Sequence, residues 1–399
     1  MLFGHLLAYF HRSANRLSSS RSIHNLSWSM GKIVSIALIL PLSFSVIFAS
    51  WLRLTNQKRS SNQRTREDPE FSGFKLVMCD PPYLHGDTTG FGRFGSCWLP
   101  VEIADAARQA RAVLSGHLHP NDVIVASFPK SGTTWLSEIV FLLSTRLDWD
   151  KASSFNLEYR VPYLEYIWPG PQSLLNRSVP RVLKTHLPFV HLPEEVQRGR
   201  AARVIYIVRD PRDVVVSYYH FARGFVPAGY RNREGIDGFT KRFLSHTLPY
   251  CPWPAHVKGY VQSASCQRKE TACSGFSPQV LVVRYEELLR NPNHTVRKIE
   301  EFLRKTWITS KGCPSPPTIM SDSQISQVVN YCSFKEMSKN PNSNFSWWME
   351  MGLWSGQKDG AKFLRRGEVG NHQVQLSSEL AEMITFEAKN EGLGWTLAS

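Results

Sequence analysis

The stretch from Asp122 to Leu147 constrains this chain more than any other. Val123 to Ala126 is a short, apolar, β-branched run, the pattern of a parallel strand buried on both faces. Phe128 to Thr134 is a turn containing Pro, Lys, Ser and Gly. Beyond it, Trp135, Leu136, Ile139, Val140, Leu142, Leu143 and Leu147 recur at helical spacing. Strand, tight loop and helix in that order make an anion site. The loop N–H groups and the first helical turn converge on one spot, and the helix dipole favours negative charge there. Gly132 lets the backbone come close. Lys130 adds a full positive charge, and Thr133 and Thr134 add hydroxyls at the helix start. A Walker A loop places its Lys after the last Gly. Here Lys130 precedes Gly132, and no Walker A string occurs elsewhere.

Three more strand patterns follow. Arg181 to Pro188 reads as a strand ending in Lys184 and His186, where α/β proteins build their sites. Arg203 to Val208 is a third strand. After it, Asp210 suits an N-cap and Pro211 the first helical position. This second strand-to-helix junction delivers Arg209, and Ser217 further along the helix. Val280 begins a fourth strand that leads into a helix. Asp105 to Leu114 reads as helix. Between Lys151 and Pro180, a helix and then an irregular segment with Tyr159, Tyr163, Tyr166 and Trp168 are expected to wall a pocket. Gln262 to Ser277 reads as an insertion loop and Lys305 to Thr318 as another. The fold class is α/β: a P-loop-like central parallel sheet with helices on both faces, forming one catalytic domain over 71–399.

The front end differs in kind. Residues 1–32 form a basic, polar tail. Ile33 to Leu52 is twenty residues without a charge, long enough to cross a bilayer once. It is expected to be a transmembrane or signal-anchor helix; a signal peptide starting at Met30 is the rival reading. Residues 53–70 are polar and read as a linker. The positive-inside rule leans toward a membrane-anchored protein with a cytoplasmic catalytic domain. The alternative is a cytoplasmic protein, if the mature chain lacks this segment. Net charge is +14, of which residues 1–68 supply +7. The remainder is mildly basic, which suits an anionic ligand better than a nucleic-acid track. Seven cysteines with no C-x-x-C pair read mostly as free thiols, with no zinc spacing. Gly90 to Gly95 spells G-x-G-x-x-G, but no strand leads into it, so it reads as a loop.

Pro129-Lys-Ser-Gly-Thr-Thr-Trp135 resembles the 5′-phosphosulfate loop of the cytosolic-type sulfotransferases. These enzymes move a sulfonate group from the nucleotide PAPS to an acceptor hydroxyl or amine. Lys184-Thr-His-Leu-Pro188 resembles the family's second block, whose His is the catalytic base. Arg209 to Phe221 resembles its 3′-phosphate block, in which the Arg and the Ser grip that phosphate. Trp253 to Tyr260 resembles a further block. Tyr285 matches a residue near the adenine, and Cys332-Ser-Phe334 stands where Thr often precedes Ser and Phe. Phe363-Leu-Arg-Arg-Gly367 resembles the C-terminal nucleotide loop, with Arg366 in place of Lys. Asn371, His372 and Gln373 replace the usual Asp, Trp and Lys. That departure bears on closure of the loop and leaves a homodimer through the family's motif unassured. The resemblance runs from Phe74 to Trp395, with the blocks in family order.

The resemblance implies a division of labour. Lys130, with Ser131, Gly132, Thr133 and Thr134, would hold the 5′-phosphate. Lys184 would reach the sulfonate, and His186 would take the acceptor's proton. Trp135 would stack on adenine near Tyr285, and Cys332, Phe334 and Phe363 would also contact the nucleotide. Arg209, Ser217, Arg365, Arg366 and Gly367 would hold the 3′-phosphate. Tyr163 and Phe221 would line an acceptor pocket suited to a small aromatic or apolar molecule. No metal is expected, since fixed cations replace it. Two other readings compete. A P-loop kinase needs Walker order and a carboxylate for Mg²⁺, and both are missing. A membrane-tethered PAPS- or PAP-binding protein without turnover is motivated by Asn371 to Gln373 and opposed by Lys130, Lys184 and His186.

Overall fold

The computed structural model describes residues 65–68, 71–79, 97–166, 169–266, 278–309, 315–355 and 362–398. The hydrophobic stretch Ile33 to Leu52 and the glycine loop Gly90 to Gly95 lie outside them. Among the described residues, no helix is long and apolar enough to cross a membrane.

An antiparallel sheet comes first, in the order β1 (Thr65–Asp68), β2 (Phe71–Cys79), β3 (Cys97–Pro100). Sequence reading missed it, and β1 falls inside the stretch 53–70 read as linker. Helix α1 (Val101–Leu114) follows β3 without a break and buries a stripe of Ala104, Ala107, Ala110 and Leu114. The central sheet is parallel, with the order β5-β4-β6-β7. Its strands are β4 (Val123–Ser127), β5 (Val182–Thr185), β6 (Arg203–Val208) and β7 (Val280–Arg284). All five residues of β4 are fully buried, as its uninterrupted apolar run requires. Each fully buried Val or Ile there contributes about 1.5–3 kcal/mol. Asp122 anchors the start of the sheet, accepting from the backbone N–H of Arg181 at 2.9 Å and from its guanidinium.

The order of strands positions the site. From β4 the chain crosses to β5 on one side, then to β6 on the other. Ala126 pairs with Thr185 and Ser127 with Ile207, so the carboxyl ends of β4, β5 and β6 lie side by side. The crevice outside such a switch point is where α/β folds bind ligands. Helix α2 (Thr133–Ser144) leaves β4 and helix α3 (Pro211–Gly224) leaves β6, both starting at this edge. Asp210 caps α3 through the N–H of Arg212, with Pro211 at its first position, as read from sequence.

Helix α4 (Trp253–Cys266) packs Trp253, Val257 and Tyr260 into the core. Tyr260 stacks on Tyr206 of β6, with ring centroids 4.1 Å apart at 8°. The insertion loop expected at Gln262 therefore starts later, because the helix runs on to Cys266. Helix α5 (Pro292–Lys305) ends where the second loop was expected. Cys251 and Cys332 are free, buried thiols.

Candidate active site

The loop after β4 is built to receive an anion. Phe128 is fully buried and meets Tyr218, Phe243 and His256 edge-on, which pins the loop to the core. Lys130 (φ 70°) and Gly132 (φ 112°) adopt left-handed conformations that turn the chain into α2. Gly132 is required twice over. Its φ is strained for other residues, and a Cβ there would meet the Tyr285 ring at 2.8 Å. The first bond of α2 runs from the N–H of Leu136 to the carbonyl of Gly132, and no side chain caps the helix. The N–H groups of the first turn are thus left for a ligand. The Ser131 hydroxyl is buried with no partner among the described residues, and Ser127 and Thr133 share a short hydroxyl contact.

Lys130 carries the loop's charge in an unusual setting. Its ammonium lies 4.6 Å from the centre of the Phe221 ring and 4.5 Å from that of Phe363. Burial, and then the charges of Arg209 and Arg365, push it down to about 7. An incoming anion would oppose these effects by stabilising the charged ammonium.

Asp213 holds the other wall. Its carboxylate accepts from the backbone N–H of Gly370 at 2.8 Å and from that of His372 at 3.0 Å. It also accepts from Nδ1–H of His372 at 2.9 Å. Burial alone would raise its pKa; the His372 bond, Arg209 and the two backbone donors outweigh it and hold it near 2. Arg209 donates to the carbonyl of Glu368 at 2.7 Å and stands 4.4 Å from the centre of the Tyr285 ring. The C-terminal loop is therefore strapped to α3. Gly367 (φ 71°) is fitted against Phe334, whose ring a Cβ would strike. The substitutions at Asn371 and His372 do not open this loop. His372 supplies two of its bonds to Asp213, and Asn371 accepts from Arg366 at 3.3 Å.

His186 is held as a neutral imidazole. Its Nδ1–H donates to the carbonyl of Ser127 at 2.9 Å, which leaves Nε2 as the acceptor atom. The Tyr163 hydroxyl donates to Nε2 at 3.2 Å. Burial, partly opposed by the Ser127 bond and reinforced by His256, Lys184 and Lys130, lowers its pKa to about 3. Glu165 fixes the backbone here, accepting from His186 N–H at 2.7 Å and from the Thr185 hydroxyl at 2.8 Å. His256, bonded to Tyr206, also meets the carbonyl of His186 at 2.9 Å.

Nearly all the residues read from sequence as nucleotide or acceptor contacts line one cavity, among them Tyr163, His186, Phe221, Trp135, Tyr285 and Phe334. Ser217, Cys332, Arg365 and Arg366 line it as well. Ser131 and Lys184 do not. Lys184 is buried with an unpartnered ammonium, 4.4 Å from the centre of the Tyr163 ring and 5.3 Å from that of Phe345. Trp135 meets Tyr285 edge-on at 5.5 Å.

Several residues of the site were not foreseen. Asp213, Glu165 and Tyr250 are among them, and so is Glu158. One oxygen of Glu158 accepts from both indole N–H groups, of Trp347 at 2.8 Å and Trp348 at 2.9 Å. Trp348 lines the cavity beside Phe221 and Phe363. Glu158→Ala leaves both N–H groups buried without an acceptor. It is expected to destabilise the fold by about 2–4 kcal/mol. Urea unfolding checks this, with Glu158→Gln recovering part of the loss. The nearest sequence signal was the aromatic density around Tyr159 to Tyr166.

The sulfotransferase domain family model matches residues 120–388. Sulfotransferase 1B1 of Canis lupus familiaris is 31% identical over 292 residues, which cover 70% of this chain and 86% of that protein. Sulfotransferase 1E1 of Bos taurus is 28% identical over 311 residues, covering 77% and 94%. Among solved structures, retinol dehydratase in complex with retinol and PAP superposes with a TM-score of 0.63 at 22% identity, covering 83% of this chain and 96% of that one. Mouse sulfotransferase SULT7A1 complexed with PAP gives 0.53 at 23% identity, covering 75% and 95%. With the strand order, the uncapped loop and the matched span together, the chain belongs to the sulfotransferase family of PAPS-dependent transferases.

Proposed function

We propose that this protein transfers the sulfonate group of PAPS to a hydroxyl of a small aromatic or apolar acceptor, with His186 as general base. The observation that carries the reading is one cavity lined both by Lys130 at an uncapped helix start and by neutral His186. When bound, the nucleotide supplies the sulfonate. The N–H groups before Leu136, with Lys130, hold the 5′-phosphate and meet the charge that grows there. Arg209, Arg365 and Ser217 favour a 3′-phosphate. His186 presents a lone pair at Nε2 for the acceptor's proton. Phe221, Trp348 and Phe363 give the acceptor an apolar wall, and two of the related structures hold retinol or androsterone.

Calorimetry with the full chain tests the donor. PAP is expected to bind far more tightly than AMP, which lacks the 3′-phosphate; equal affinities would contradict the reading. The binding carries a pH signature. In the empty site Lys130 titrates near 7, and a bound phosphate raises it. Affinity is therefore full below about pH 7 and falls as pH rises above it, by roughly tenfold per unit, with proton uptake on binding. Flat affinity between about pH 6 and pH 9 would show that Lys130 does not contact the anion.

The membrane tether rests on the composition of Ile33 to Leu52. Retention in the pellet after carbonate extraction, lost on deleting residues 33–52, is the expected result.

A further inference from the structure

We infer that Tyr163 is a proton relay between the acceptor and His186. The inference rests on the reading of His186 as the base. The Ser127 carbonyl fixes the proton on Nδ1, so Nε2 has one lone pair to offer. That lone pair already receives the Tyr163 O–H, at 3.2 Å. Tyr163 lines the cavity, so its hydroxyl stands where an acceptor must deliver its proton.

The ring is not free to step aside. Its backbone is stitched to β5 on both sides, by Lys184 N–H to the Pro162 carbonyl at 3.0 Å and Leu164 N–H to the Lys184 carbonyl at 2.8 Å. Its face stacks on Tyr166 at 4.1 Å. A phenol so held can donate to Nε2 while its oxygen accepts from a second O–H. The acceptor oxygen then attacks the sulfonate sulfur. Its proton passes to the Tyr163 oxygen, the Tyr163 proton passes to Nε2, and the S–O bond breaks with its electron pair leaving on the nucleotide phosphate. Imidazolium and neutral tyrosine result. The proton returns to solvent through Tyr163 after the sulfated product departs. The buried Lys184 ammonium, 4.4 Å from the Tyr163 ring centre, meets the negative charge that the phenol oxygen gains in transit. This gives Lys184 a task although it does not line the cavity.

Tyr163→Phe removes one hydroxyl and keeps the ring, so the fold is retained. Turnover of the full chain is expected to fall by roughly 10²-fold, the low end for a positioned proton transfer, with PAP affinity unchanged. The proton inventory of the solvent isotope effect is expected to change from curved, with two protons in flight, to linear. Without any turnover, the ¹⁵N signal of His186 Nε2 is expected to move downfield as its hydrogen bond is lost. Tyr163→Phe with full or raised turnover, while His186→Ala is inactive, would overturn the relay and leave the base in place. Full turnover in His186→Ala would overturn both.

Discussion

His186→Ala is expected to lower turnover by about 10²–10⁴-fold while PAP binds as before. The separation follows from position. His186 lines the cavity beside Tyr163, and its Nδ1 and backbone N–H are engaged with Ser127 and Glu165. The phosphate donors are on the loop after β4 and on α3. The pH profile carries a second expectation. A base works when neutral, so activity is lost as pH falls through its pKa. Burial, with the charges of His256, Lys184 and Lys130, places that pKa below the ordinary histidine range, at about 3 in the empty site. Binding an anion neutralises part of the nearby charge and moves it back up. The acid limb of kcat/KM, which reports the free enzyme, is expected below that of an ordinary histidine. A limb at the ordinary value, persisting in Tyr163→Phe, would mean that another group titrates.

Asp213→Ala is the second large effect. One carboxylate holds Gly370 N–H, His372 N–H and His372 Nδ1–H, and it stands 3.6 Å from Arg209. Each orphaned buried donor costs about 1–3 kcal/mol. The cost falls on the bound state, because the loop carrying Arg365 and Gly367 must be ordered for them to line the site. A loss of PAP affinity of about 10- to 100-fold is expected, equivalent to about 1.4–2.8 kcal/mol, with a smaller effect on overall stability. Calorimetry and thermal unfolding on the same variant separate the two. Unchanged PAP affinity would show that the strap does not shape the nucleotide site.

These two residues mark the limits of the sequence reading. His186 was legible because it ends a buried strand within a recognisable block. β4, β6 and β7 were legible because each is a nearly continuous apolar run, and Arg203 to Val208 needed no revision. Asp213 was not legible as a clasp. In the sequence it is one charge in a helix start, and its partners lie 157 and 159 positions away. No periodicity encodes a contact at that range. For the same reason His372 read as a loss of the usual Trp, while in the fold it bonds twice to Asp213. Glu158 is separated from its two indoles by 189 and 190 positions. Lys184 was read from spacing. It shares a strand face with His186, two residues apart, and both side chains meet Tyr163. Spacing identified the shared face, but not that the ammonium lies over the rings of Tyr163 and Phe345. The antiparallel sheet went unread because Thr65 to Asp68 is wholly polar, which looks like linker.

The most direct test of the whole account is transfer of labelled sulfonate from PAPS by the full chain, offered a panel of phenols, steroids and alkyl alcohols. The account predicts labelled product from at least one acceptor, formed in equal amount to released PAP and abolished in His186→Ala. Tight binding of PAP with no labelled product from any acceptor would contradict it, and would leave a nucleotide-binding protein that keeps the family's fold without its chemistry.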